Sequence, residues 1–299
     1  MLGVLLLTLR ELRAKWIVVG LFVVATLVWG TMALALQLDV VDGSLAGARL
    51  FGEDASFESA QFDEEGNVLR DEDGEVVMQQ EAPFGADSLL EGLVFGAQAF
   101  VAGAAYWVGI LLALFATSGL VASLQTRGEI DLLLSKPLSR SQILAGRLGG
   151  VGVVTFALMA YLIGAVWLVM SIKSGIWNPR FLLAILVIWA MFMVLYGLVS
   201  LVSVWTGSSA LSLMVVLAVL FASLILAIPE LETQIASTWR PLVIGLRHAL
   251  PRFPTVGVQM VPQLASGQPV GAVGAFAASI GIGTALYALA FWRFARRDF

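Results

Sequence analysis

The residues whose types and spacing could do chemistry lie between Thr126 and Gly150, TRGEIDLLLSKPLSRSQILAGRLGG. Arg127, Glu129, Asp131, Lys136, Arg140 and Arg147 flank the apolar run Leu132-Leu133-Leu134, with Gly128 ahead of it and the helix-stopping Pro137 behind. A short loop cannot bury three leucines by itself. An apolar cluster rimmed by charges has the make-up of a docking surface, in which the leucines are covered by a partner and Glu129, Asp131, Lys136 and Arg140 fix the register. The competing reading places the leucines on the membrane surface, with Lys136 and Arg140 reaching lipid headgroups.

The elements on either side decide where such a segment can sit. Residues Gly92 to Thr126 carry no Asp, Glu, Lys or Arg, and neither do Leu148 to Ile172. Runs of more than about 18 apolar residues mark membrane-spanning helices. The 299 residues are 59% hydrophobic and 13% charged, with a mean hydropathy of +0.92. Globular chains carry roughly 25% charged residues. The chain reads as an all-α polytopic membrane protein, and the charged stretch as a water-side loop joining two spans.

Taken in order, residues 1–15 place Leu2, Leu5, Leu6, Leu9 and Leu12 at helical spacing before Arg10, Glu11, Arg13 and Lys15, an amphipathic interfacial helix on the cytoplasmic leaflet. Spans follow at 16–36, 97–124, 149–172, 181–205, 210–228 and 270–292. The first ends in a signal-peptidase-like Ala33-Leu34-Ala35 but is longer than a signal peptide's apolar core, so it reads as an uncleaved anchor. Between the first two spans, 37–96 holds 15 of the 21 acidic residues. Within it, Val68-Leu69-Arg70 and Glu75-Val76-Val77-Met78 read as a β-hairpin. Asp71, Asp73 and Glu75 alternate as in a calcium loop, but Val76 stands where such a loop needs glycine. The coupling loop spans 125–148. Residues 229–269 are too polar to span and too apolar for a free loop, which fits short helices dipping into the outer leaflet. Residues 293–299, RFARRDF, form a tail. Arg10, Arg13, Lys15, Arg127, Lys136, Arg140, Arg147, Arg293, Arg296 and Arg297 hug the span ends on one side, so both termini and the central loop are cytoplasmic.

Several functions lack their residues. None of the six predicted spans contains Asp, Glu, Lys, Arg or His, the groups on which ion-coupled transport or intramembrane proteolysis would rest. No cysteine is present, no P-loop sequence occurs, and the single histidine, His248, has no companion ligand. The chain is therefore expected to hold no catalytic residue, metal or cofactor, and any energy source must sit in a partner. Small residues on the last span, Gly271, Gly274, Ala275, Ala278, Gly281 and Ala285, fit a dimer seam or a seam within the chain.

The run Gly128-Glu129-Ile130-Asp131-Leu132-Leu133-Leu134-Ser135-Lys136-Pro137-Leu138-Ser139-Arg140 resembles the signature of ABC-2 type transporter permeases, most of all the branch of NosY-like permeases of copper-enzyme maturation. It departs at Glu129, where the family often has Thr, and in the long acidic segment after the first span. The resemblance implies that Arg127, Gly128, Glu129, Asp131, Leu132, Leu133, Leu134, Lys136, Pro137 and Arg140 form a coupling helix for a separate cytoplasmic ATPase. It implies two ATPase copies carrying ATP and magnesium, a second permease copy or paralogue, and a bacterial or archaeal inner membrane. Membrane lipids are expected partners and nucleic acid is not. Two functions remain open at this point. One is an exporter-like permease that moves a substrate, and the other is a mechanical subunit whose acidic outer segment acts on an extracytoplasmic protein.

Overall fold

The computed structural model describes residues 7, 8, 10, 11, 16–41, 44–50, 53–54, 59–60, 78–79, 89–124, 139–228 and 239–296, the backbone alone for residues 17, 35–41, 44–50, 53–54, 59–60, 78–79 and 89. Among them helices dominate. Helix α1 covers Trp16–Ala35. Helix α2 runs over Leu90–Ser123, α3 over Arg140–Ser174, α4 over Leu183–Thr206 and α5 over Ser209–Leu226. A short helix α6, Arg240–Ala249, is followed by α7, made of Phe253–Thr255, a π turn at Val256–Met260, and Val261–Ala265. Helix α8, Val273–Ala295, closes the described chain.

Five helices are long and apolar enough to cross a membrane, namely those containing α2, α3, α4, α5 and α8, and a shorter apolar helix covers Val18–Leu34. The chain is an integral, multi-pass membrane protein. Two helices start earlier than the charge-free runs. The segment expected as 37–96 already contains the first turn of α2, because Glu91 ends the apolar run in sequence while Leu90 and Val94 are buried. Likewise α3 starts at Arg140 inside the expected loop 125–148. Its first turns bury Ile143, Leu144 and Leu148, and with them Arg147.

Helix ends follow local chemistry. Ser139 caps α3 in a reciprocal box: its Oγ accepts from the Gln142 N–H at 3.3 Å, and its own N–H donates to Gln142 Oε1 at 3.0 Å. At the other end Gly175 takes φ 75°, the left-handed cap that glycine adopts without Cβ strain. Ser208 caps α5 by accepting from the Leu211 N–H at 3.3 Å.

Helix α4 is the centre of the bundle, burying Val187, Ile188, Met191, Phe192, Leu195 and Tyr196. It packs most extensively on α8. A Cβ on Gly283 would stand 2.9 Å from Val194 Cγ2 and 3.1 Å from Val194 Cα, so glycine there sets the close approach. Of the small residues singled out in the sequence, Ala275 lies in this intrachain packing, whereas Gly274, Ala278, Gly281 and Ala285 are exposed on the other faces of α8. Helix α1 packs on α3 through the stacked rings of Phe22 and Tyr161 and a 3.0 Å contact between the Thr26 and Tyr161 hydroxyls.

Beyond α1 the backbone forms a three-stranded antiparallel sheet from β1 (Leu36–Val41), β2 (Ser44–Leu50) and β3 (Glu53–Asp54). Strand β4 (Ser59–Ala60) pairs with β5 (Met78–Gln79), Ala60 opposite Met78. Of the hairpin expected between Val68 and Met78, only Met78 is described, and its strand partner is Ala60; Val68 to Val77 lie outside the described residues.

Candidate functional site

The candidate site is the end of the bundle where α2 stops and α3 starts, the end that the sequence expects to face the cytoplasm. Arg140 is the first residue of α3 and is half-buried. The other residues expected to touch an ATPase, Arg127, Gly128, Glu129, Asp131, Leu132, Leu133, Leu134, Lys136 and Pro137, lie outside the described residues.

What the structure adds is a buried charge in a stretch that reads in sequence as a water-side loop. Arg147, two turns into α3, is only 2% exposed, and its guanidinium pairs with the Glu11 carboxylate. Leu7, Thr8, Arg10 and Glu11 are helical, with Thr8 fully buried and Arg10 exposed. This segment therefore rests on protein through the Thr8 and Glu11 face and turns Arg10 away from it. Nearby, Tyr196 of α4 donates from its hydroxyl to the Thr117 carbonyl of α2 at 3.3 Å, so α2, α3, α4 and the N-terminal helix meet at this end. Arg147 had been placed with the cytoplasmic charges because a single arginine ends an apolar run. Its setting, Leu144-Ala145-Gly146-Arg147-Leu148-Gly149-Gly150, with apolar or small neighbours on both sides, was the available sign that it is buried.

The opposite end of the bundle is held by buried neutral polar groups, with the exposed Arg180 also donating to the Gly267 carbonyl. Asn178, between α3 and α4, donates from Nδ2 to Gln98 Oε1 of α2 at 3.1 Å and to the Ala265 carbonyl of α7 at 2.7 Å. Trp167 Nε1 donates to the Asn178 carbonyl at 3.0 Å. Gln98 is fully buried, and its Nε2 has no hydrogen-bond partner among the described residues. Tyr106 donates from its hydroxyl to the Phe253 carbonyl at 2.6 Å and stacks on the Phe253 ring with centroids 4.4 Å apart. A side chain at Gly257 would collide with the Tyr106 ring. These contacts seat α7 in the bundle, with Phe253, Val256, Val261 and Leu264 buried. Helix α6 has no buried residue. Leu242, Ile244 and Leu246 are exposed on it, and His248 Nδ1 bonds the Ile244 carbonyl at 2.8 Å. A groove of about 180 Å³ between α1, α2 and α3 is lined almost wholly by apolar side chains, among them Leu21, Phe100, Leu112 and Met159.

The described residues thus combine a charged junction where α3 starts, five helices long and apolar enough to cross a membrane, and a packed α7 at the far end. No curated protein matches the chain. The family model of the ABC-2 family transporter proteins matches residues 8–299, nearly the whole chain. The chain thus belongs to the ABC-2 family of transporter proteins, whose members are the membrane components of ABC transporters rather than their catalytic subunits.

Proposed function

We propose that the chain is the permease subunit of an exporter-type ABC transporter, working as a dimer with two copies of a cytoplasmic ATPase that carries the ATP and magnesium. Family membership, together with the continuity of α3, carries this reading. Its 35 residues run without a break from the capped end of the 125–138 segment to Gly175, so a push on that segment acts on the whole helix. Arg127 to Arg140, with Leu132, Leu133 and Leu134 at the centre, is the docking element. With α1 counted as a span, the chain crosses six times and both termini face the cytoplasm of a bacterial or archaeal inner membrane. Residues 239–269 dip into the outer leaflet, while 229–238 lie outside the described residues: α6 is bare where lipid would cover it, and α7 is held by the bundle. The apolar groove fits a hydrophobic or amphipathic cargo. Membership of the NosY-like branch rests on the loop sequence.

Affinity purification of the tagged protein in mild detergent tests the assembly. A stoichiometric P-loop ATPase is the expected companion, and recovery of the chain alone even after crosslinking would sink the reading. Leu133→Asp should abolish ATPase recovery and leave membrane insertion intact, because a buried carboxylate in the contact costs several kcal/mol.

The acidic composition of 37–96 and its pairing of β1 with β2 next to α1 favour a second reading, a mechanical subunit that grips an extracytoplasmic protein. Deleting Phe51 to Met78 separates the two. Export survives the deletion if the segment is dispensable to transport, and binding of the outer partner fails if the segment is the output.

A further inference from the structure

We propose that Glu11 and Arg147 form an ionic clasp that makes the N-terminal helix part of the lever driven by the loop. The two are then positioning residues for the coupling of ATP hydrolysis. The inference rests on the permease reading for the source of the force, but the clasp stands on its own geometry.

Two contacts define it. Thr8 lies against Gly150, where a Cβ would come within 2.7 Å of the Thr8 Cβ and Cγ2, so the absence of a side chain at Gly150 is what admits Thr8. One turn along, Glu11 pairs with Arg147. Three residues forward on the N-terminal helix correspond to three residues back on α3, the register of two helices running antiparallel side by side. Thr8 and Glu11 share one face, and the exposed Arg10 does not belong to it.

The charge distribution says which way the dependence runs. The Arg147 side chain is 2% exposed and that of Glu11 31%. A guanidinium so buried needs its counter-charge, whereas the carboxylate, near water, could be solvated without its partner. Arg147 therefore holds the N-terminal helix in place, and a helix that left would strand a buried cation. Apolar residues of the same volume would pack the two helices at least as well, so bulk stability does not require this pair. Its position gives it a further role. Arg147 sits two turns from Arg140, where the docking segment joins α3. A tilt of α3 started there carries the N-terminal helix with it, and through that helix the start of α1.

The test uses full-length protein in lipid nanodiscs, alone and with its co-purified ATPase. Hydrogen exchange of the isolated permease should show the N-terminal helix protected. In Glu11→Gln, amides there should exchange about tenfold faster or more, since a buried charge loses its partner. Amides of α4 and α8 should be unchanged. In the complex, Glu11→Gln should still recover the ATPase, yet the permease's stimulation of ATP hydrolysis should fall about tenfold, a split that a merely structural defect would not give. Gly150→Ala, which displaces Thr8 without touching the charges, should move both readouts in the same direction and serves if Glu11→Gln does not insert. Unchanged exchange of the N-terminal helix in both variants overturns the clasp. A loosened helix with wild-type stimulation overturns its role in coupling. If wild-type protein recovers no ATPase, the transporter reading falls, while the exchange arm still decides the clasp.

Discussion

The two ends of the bundle solve one problem with different chemistry. At the end where α3 starts, α3 is tied to the N-terminal helix by an ion pair, with Arg147 buried and Glu11 near water. At the opposite end the buried ties among α2, the α3–α4 connection and α7 are neutral, Asn178 to Gln98 and Ala265, and Tyr106 to Phe253. A neutral hydrogen bond in an apolar setting is modest in net value and tolerates rearrangement. A buried ion pair contributes little net stability while both partners stay but is costly to break by halves. The first end is thus held by a pair that is costly to break by halves, and the opposite end by contacts of modest net value each.

That contrast can be broken in graded steps. Glu11→Leu takes the carboxylate away from the buried Arg147 guanidinium and should lower stability by about 3 kcal/mol or more. Thermal denaturation of the purified protein in detergent reads this as the largest drop in Tm of the series. Asn178→Leu removes two donated hydrogen bonds and leaves the Gln98 Oε1 and Ala265 carbonyl acceptors buried; about 1–3 kcal/mol is expected, with faster exchange confined to α7. Gln98→Met takes away a buried amide whose Nε2 already lacks a described partner, so the change should be within about 0.5 kcal/mol of zero. Should Gln98→Met prove as damaging as Glu11→Leu, the end held by Asn178 and Tyr106 would not be the looser of the two.

The class of the protein could be read from sequence because span signals are local. The runs from Gly92 to Thr126 and Leu148 to Ile172 need no tertiary information to mark apolar helices, and the Gly128 to Arg140 motif pointed to the family that the chain belongs to. Helix starts were read less well. Leu90 and Ile143 lie beside Glu91 and Arg140, and a scan for uncharged runs stops at the charge although the helix continues past it. The roles of the loop residues Arg127 to Pro137 rest on their sequence alone. On α8 the small residues were visible as a group, but which of them faces α4 was not, and the closest approach is made by Gly283, outside that group.

Composition and hydropathy by themselves determined that this chain is a multi-pass helical membrane protein. The lipid environment makes this legible, since every backbone polar group must be satisfied within its own helix and a polar side chain is costly. Only the tertiary structure decided that Arg147 is buried, that Glu11 answers it across 136 positions, and that Asn178 joins α2 to α7. Partners so far apart in sequence leave no periodic trace. Their pairing follows from which helix faces meet, and packing decides that.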